Sequence, residues 1–139
     1  MTIMTKRTTG VVLIGAGFLL GACATTATER VDQRVLDKLA GFKETGETET
    51  CISVPRLKSI DPATESKFLV ETGFNDYWLV NTNGRCSGST RPQNRLQYST
   101  SISQLCRGQI IKIIDNQSGL IAGSCSIGTF KKLEPKADN

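Results

Sequence analysis

Five cysteines and no histidine set the chemistry open to this chain. A thiol can be acylated, oxidised to a disulfide, used as a zinc ligand or used as a nucleophile, and each use needs its own setting. A nucleophilic cysteine needs a base to activate it, and the usual one, histidine, is missing. A structural zinc site favours close ligand pairs such as CxxC. Here Cys51, Cys86, Cys106 and Cys125 are separated by 35, 20 and 19 positions. Neither a metal nor another cofactor is therefore expected. Cys23 stands apart from the other four. It closes the run Leu20-Gly21-Ala22-Cys23, after the basic pair Lys6 and Arg7 and an apolar core from Val11 to Leu20. That order describes an export signal ending in a lipobox, with cleavage before Cys23 making it a new, acylated N-terminus.

Two other readings of the same segment stay open: an ordinary signal peptide with an incidental Cys23, or an uncleaved N-terminal anchor. The apolar core is about half of the roughly 20 residues that a spanning helix needs, which favours a signal. Gly15-Ala16-Gly17 with Gly21 is not a nucleotide loop, because such a loop follows a strand and opens a helix within a βαβ unit.

Setting Cys23 aside, four cysteines remain, an even number in a chain routed to an oxidising compartment. Two disulfides are expected, and three connectivities are open. Loop placement favours Cys86 with Cys106, between neighbouring strands, and Cys51 with Cys125, joining the first and last strands. Each would contribute roughly 3 to 4.5 kcal/mol through unfolded-chain entropy.

Removing the first 22 of 139 residues leaves 117, enough for one small domain. Lys6 and Arg7 leave with the signal, so 15 basic and 13 acidic residues give a net charge of +2, and no nucleic-acid partner is expected. The charge is unevenly spread. From Tyr77 to Ile114 there is no acidic residue, while Arg85, Arg91, Arg95, Arg107 and Lys112 supply five positive charges. A face of one sign attracts anions such as phosphate-bearing lipids or acidic proteins. The plainer reading is a set of solvated loop cations.

The elements that must position these groups follow from periodicity. Thr26 and Glu29 match a capping box, and Val31, Val35, Leu36, Leu39 and Phe42 recur at helical spacing, so one amphipathic helix should end near Gly41. Its stripe should dock on its own domain, the other options being the membrane surface or a partner helix. Residues 43–50 are polar and aperiodic and read as a linker. The organisation is then 1–22 signal, 23–50 anchored helix and linker, 51–134 disulfide-bonded β domain and 135–139 tail.

From Cys51 onward the pattern is one of strands and turns. Cys51 to Ser59, with Pro55, reads as an edge strand. Lys67 to Glu71 and Tyr77 to Asn81 flank a turn and form a hairpin, with Tyr77 and Leu79 on one face and Trp78 and Val80 on the other. Ser87 to Asn94 is a loop and Leu96 to Thr100 a short strand. Gln109 to Asp115 and Leu120 to Leu133 make a second hairpin around Asn116-Gln117-Ser118-Gly119. The fold expected is mainly β, a small antiparallel sheet or barrel of five or six strands behind one helix. Asp76 and Asp115 sit at turns, where aspartate commonly stabilises the local backbone, so neither marks an active site.

Cys51-Ile52-Ser53 with Arg56 and Ile60, Tyr77-Trp78-Leu79-Val80-Asn81-Thr82, Cys86 and Tyr98-Ser99-Thr100 form one recurring pattern. Leu105-Cys106, Ile113-Ile114-Asp115 and Ser124-Cys125-Ser126-Ile127-Gly128-Thr129-Phe130 continue it. The whole resembles a family of small uncharacterised proteobacterial lipoproteins, and all four cysteines fall on the family's positions. The resemblance implies an N-terminal signal and a single domain, and it assigns no activity. Ser87-Gly88 departs from it, since a proline commonly follows that cysteine. Ala24 stands where an aspartate would suggest inner-membrane retention in Gram-negative lipoproteins, so the resemblance points to the outer membrane, periplasmic face. The functional expectation is a lipid-anchored, non-enzymatic binding or structural module whose partner is an envelope protein or an anionic lipid. The alternatives are an inhibitor that presents residues 85 to 95 to a cell-wall hydrolase, and an enzyme built on scattered acids.

Overall fold

The hairpin around Gly73 to Asp76 is the centre of the molecule. In the computed structural model, which describes residues 28–137, β4 (Lys67–Thr72) pairs antiparallel with β5 (Asp76–Asn81) through the register Phe68↔Val80, Leu69↔Leu79 and Val70↔Trp78. Two further strands extend this pair on one side: β10 (Phe130–Pro135) joins β5, and β1 (Phe42–Glu49) joins β10. On the other side β3 (Leu57–Pro62) pairs with β4, which completes a five-stranded sheet ordered β1-β10-β5-β4-β3. A three-stranded sheet of β6 (Asn94–Tyr98), β8 (Ile110–Asp115) and β9 (Ile121–Ser126) follows, and β2 (Cys51–Ser53) pairs with β7 (Gln104–Cys106). The protein is mainly β with one helix, α1 (Gln33–Ala40), ahead of the strands.

Strand alternation sorts the central hairpin into two cores. Phe68, Val70, Trp78 and Val80 face inward with Phe130 against Ile111, Ile113, Leu105, Ile52 and Ile127. At roughly 1.5–3 kcal/mol for each large apolar side chain removed from water, this cluster is the main stabilising element. Leu69, Leu79 and Leu133 face the opposite way and meet Val35 and Leu39 of α1, together with Phe42 and Tyr77. The helix therefore docks on its own domain. Eight residues are too few for a stable isolated helix in water, so packing on this second core supports it.

Four expectations are corrected. The helix cap is Asp32, whose side chain accepts the N–H groups of Arg34 and Val35 at 3.1 and 3.4 Å, in place of the Thr26–Glu29 box. Thr26 lies outside the described residues. Glu29 accepts the Ser66 hydroxyl at 2.8 Å, and Val31 bridges to Thr64, so the chain reaches α1 in extended form. Residues 43–50 are no linker, since 42–49 form β1. This strand shows no apolar alternation because it is an exposed sheet edge, where charged side chains suit the solvent and discourage edge-to-edge pairing. Lys43 pairs with Glu134 at 3.1 Å and Glu44 with Lys131 at 3.2 Å across the ladder.

The strand number is ten. The segment after Cys51 divides at a short 3-10 turn, Val54–Arg56, with Pro55 in it, and only then becomes the edge strand β3. Leu120 to Leu133 likewise divides into β9 and β10, which serve different sheets. Finally, the disulfides are Cys51–Cys106 and Cys86–Cys125, in place of the pairing expected. β2 lies directly against β7 with Cys51 opposite Cys106, a neighbour relation that loop placement could not supply. The bridges span 55 and 39 positions and are each worth about 4 kcal/mol on the loop-entropy model.

Candidate functional site

Glu65 organises a cavity lined by three arginines. A tight turn before β4 presents it: the Thr64 hydroxyl accepts the N–H groups of Ser66 and Lys67 at 3.0 and 3.1 Å. Its side chain is only 4% exposed. One carboxylate oxygen accepts the Gly88 N–H at 2.7 Å, and the other accepts Arg85 Nε at 2.5 Å. The Glu65 carbonyl accepts the Cys86 N–H at 2.7 Å. Burial pushes the Glu65 carboxyl up, but the Gly88 N–H, the Arg85 contact and the charges of Arg85 and Arg91 outweigh it. The group is held below its ordinary value and stays ionised.

This carboxylate fixes the loop that carries the arginines. Gly88 adopts φ +81°, a left-handed conformation open to glycine, and with it directs its N–H at Glu65. The Ser89 N–H reaches the Cys86 carbonyl at 3.0 Å, and Asn94 Nδ2 reaches the Gly88 carbonyl at 2.9 Å. The Cys86–Cys125 bridge then ties the loop to β9. Gly123 of β9 leaves room for the Ser87 backbone, which a Cβ there would strike.

The resulting cavity is about 280 Å³ and is lined by Thr28, Arg30, Glu65, Arg85, Arg91 and Ala122, among others. Three guanidinium groups face one carboxylate. Among the described residues Arg30 and Arg91 form no ion pair, while Arg85 pairs with Glu65. Guanidinium forks take carboxylate or phosphate through paired hydrogen bonds, so the surplus charge suits an oxyanion.

The other cations singled out in the sequence lie elsewhere. Arg95 projects from β6 and donates to Asn116 Oδ1 at 2.5 Å. Lys112, opposite Gln97 in the β6–β8 ladder, lines a separate groove with Tyr98 and Ile110. Arg107 lines a third cavity, of about 420 Å³, with Lys131, Asn81 and Asn83. The cations of the acid-free segment are thus divided among four places, and only Arg85 and Arg91 share a cavity. Arg30 and Glu65 escaped the sequence reading, because their role arises from long-range approach and has no local signal. Cys23 lies outside the described residues.

A second, partly buried carboxylate, Asp76, sits at the other end of the β4–β5 hairpin. It bonds Lys132, accepts the Thr72 hydroxyl at 2.8 Å and pairs with Arg56 at 3.3 Å. Trp78 Nε1 donates to the Thr72 oxygen at 3.2 Å, and Lys132 lies 4.6 Å from the Trp78 ring centroid. Burial raises the Asp76 carboxyl, and the contacts from Lys132 and Thr72 lower it by more, so it is held below its ordinary value. It is a cross-strand hub, where the sequence suggested only a local turn stabiliser. Asp115 does act locally, accepting the N–H of Gln117 at 2.8 Å.

Fold and site together define a small β protein, crosslinked by two disulfides between distant segments, with a cationic cavity beside the extended segment that leads into α1. The chain belongs to DUF6491, a family of unknown function, whose model matches residues 4–138. No curated protein and no solved structure matches it.

Proposed function

We propose that this chain is a bacterial envelope lipoprotein, acylated at Cys23 and held at the periplasmic face of the outer membrane, and that its domain is a non-enzymatic module binding an anionic partner. The observation that carries the binding part is the Glu65-pinned loop, which holds Arg85 and Arg91 beside Arg30 with more positive than negative charge in the cavity. The address rests on the lipobox, and the pairing of the other four cysteines suits an oxidising compartment while leaving Cys23 alone for acylation.

The address is tested by Cys23→Ser, which should accumulate as unacylated precursor; unchanged processing and membrane partitioning would remove it. Binding is tested by charge reversal at Arg91, with reversal at Arg95 as the comparison. Salt-sensitive binding to lipopolysaccharide or anionic vesicles should weaken strongly for the first and little for the second. A native protein that binds neither ligand ends the anionic-partner reading.

The pinned loop also favours a second reading, inhibition of a cell-wall hydrolase. Arg91, Pro92 and Gln93 are exposed at the tip of a segment whose base is fixed by a disulfide, the form in which an inhibitor enters a cleft. Full activity of lysozyme-like enzymes in the presence of excess protein would exclude it.

A further inference from the structure

The same cavity lies where the chain leaves its proposed anchor. Thr28 lines it, and Cys23 is five residues earlier. Five extended residues reach at most about 18 Å. An acylated Cys23 sits at the lipid surface, so the Arg30–Arg85–Arg91 cavity cannot stand farther from that surface than this tether allows. The opposite end of the domain is placed otherwise. Val31 bridges to Thr64 and Asp32 N–H bonds the Ala63 carbonyl at 2.9 Å, so the chain joins the domain at the Glu65 end of the β4–β5 hairpin. The turn carrying Phe74 is at the other end of that hairpin, roughly 20 Å away at the rise of a six-residue strand.

Apolar groups stand beside the cations at the tethered end. Leu120 and Ile121 are 70% and 59% exposed and run directly into Ala122, which lines the cavity. Interfacial attachment combines shallow insertion of such side chains with attraction between basic residues and anionic headgroups. A short tether also raises the effective concentration of headgroups to the millimolar range, so weak affinity for a single phosphate is sufficient.

We infer that this end of the domain docks on the membrane that carries its anchor, with a lipid headgroup phosphate in the cavity formed by Arg30, Arg85 and Arg91 and with Leu120 and Ile121 inserted beside it. The inference rests on the proposed acylation of Cys23 and names the partner of the proposed anionic site. Docking orients the domain: the Phe74 turn faces away from the lipid, and the cavity is occupied from the membrane side.

The test uses the mature protein purified from its own envelope and placed in phosphatidylcholine nanodiscs with and without phosphatidylglycerol, followed by hydrogen–deuterium exchange. Amides of residues 85–91 and 119–123 should exchange several-fold more slowly with phosphatidylglycerol than in detergent, while those of 73–75 stay unchanged. High salt and the exposed-residue variants Arg30→Gln with Arg91→Gln should remove the protection. Leu120→Ser with Ile121→Ser should reduce it without touching the cations. Equal exchange in all lipids, or protection at 73–75 instead, overturns the inference. The same protection produced by inorganic phosphate in detergent would make the cavity a free-anion site and overturn it too. Protection that appears only with a co-purified envelope protein would assign the cavity to an acidic protein and likewise overturn it. Mass analysis of the N-terminal peptide separates the two levels: an unacylated Cys23 ends the anchor reading, whereas an acylated Cys23 with an unprotected cavity ends only the docking.

Discussion

Glu65 and Asp76 stand at opposite ends of one hairpin, both largely buried and both held ionised against the cost of burial, yet they organise their surroundings differently. Asp76 gathers Lys132, Arg56 and Thr72, both cations bond to its carboxylate, and the cavity it lines with Arg56 and Thr72 is only about 40 Å³. Glu65 neutralises one arginine of three, and the remaining two face a cavity of about 280 Å³. A carboxylate whose cations are all engaged serves the fold. One that fixes a loop while leaving cations and volume over matches the anion site proposed above. The two sites use the same chemistry, and the difference lies in stoichiometry and space.

The sharpest way to break this comparison is to release the arginine loop covalently. Cys86→Ala with Cys125→Ala should lower stability by about 4 kcal/mol on the loop-entropy model, read by urea denaturation, and should weaken anionic-vesicle binding as the loop loses its base. Unaltered vesicle binding would mean that Glu65 alone positions the loop. Next in size, Asp76→Asn should cost about 2 kcal/mol, because Lys132 loses its charged partner in a partly buried setting while the exposed Arg56 adds little. Vesicle binding should not change, and a parallel loss would dissolve the distinction between the two ends.

Glu65→Gln should cost less, about 1–2 kcal/mol, since the amide oxygen still accepts the Gly88 N–H and the half-exposed Arg85 regains water. Binding to anionic vesicles should tighten about five-fold as one negative charge leaves the cavity. Weaker binding would show that Glu65 matters more for holding the loop than for its charge.

The smallest effect is on pH dependence. Both carboxyls have folded-state values below their unfolded ones, so the stability they add is complete above the ordinary carboxylate range and is lost as pH falls through that range toward the folded values. Denaturation midpoints should therefore drop on acidification, and the drop should be shallower in Asp76→Asn and in Glu65→Gln. An identical acid slope in either variant would mean that its carboxyl is not shifted.

The central hairpin was legible because its alternation is strict: Trp78 and Val80 against Tyr77 and Leu79 can only face opposite sides of a pleated strand. The docked helix was legible for the same reason at period 3.6, and the loop of residues 87–93 through its glycine, serine and proline content. β1 was not, because an exposed edge strand needs no apolar pattern and is held by its backbone ladder with β10. Arg85 and Arg91 were visible as charges in an acid-free segment. Their grouping with Arg30, and their separation from Arg95, Arg107 and Lys112, depended on contacts spanning tens of residues.

By itself the sequence determined the β character, the two faces of the hairpin, the helix before the strands and the four widely spaced cysteines after residue 50. These follow from local periodicity and residue chemistry, which act within a few positions. Only the tertiary structure decided which cysteines meet, which cations share a cavity and which carboxylate stands among them. Pairing β2 with β7 set Cys51 opposite Cys106, and packing the turn before β4 against the loop after β5 buried Glu65 beside Arg85. Such neighbours are chosen by the closure of whole sheets around a core, a global condition that no short window of sequence contains.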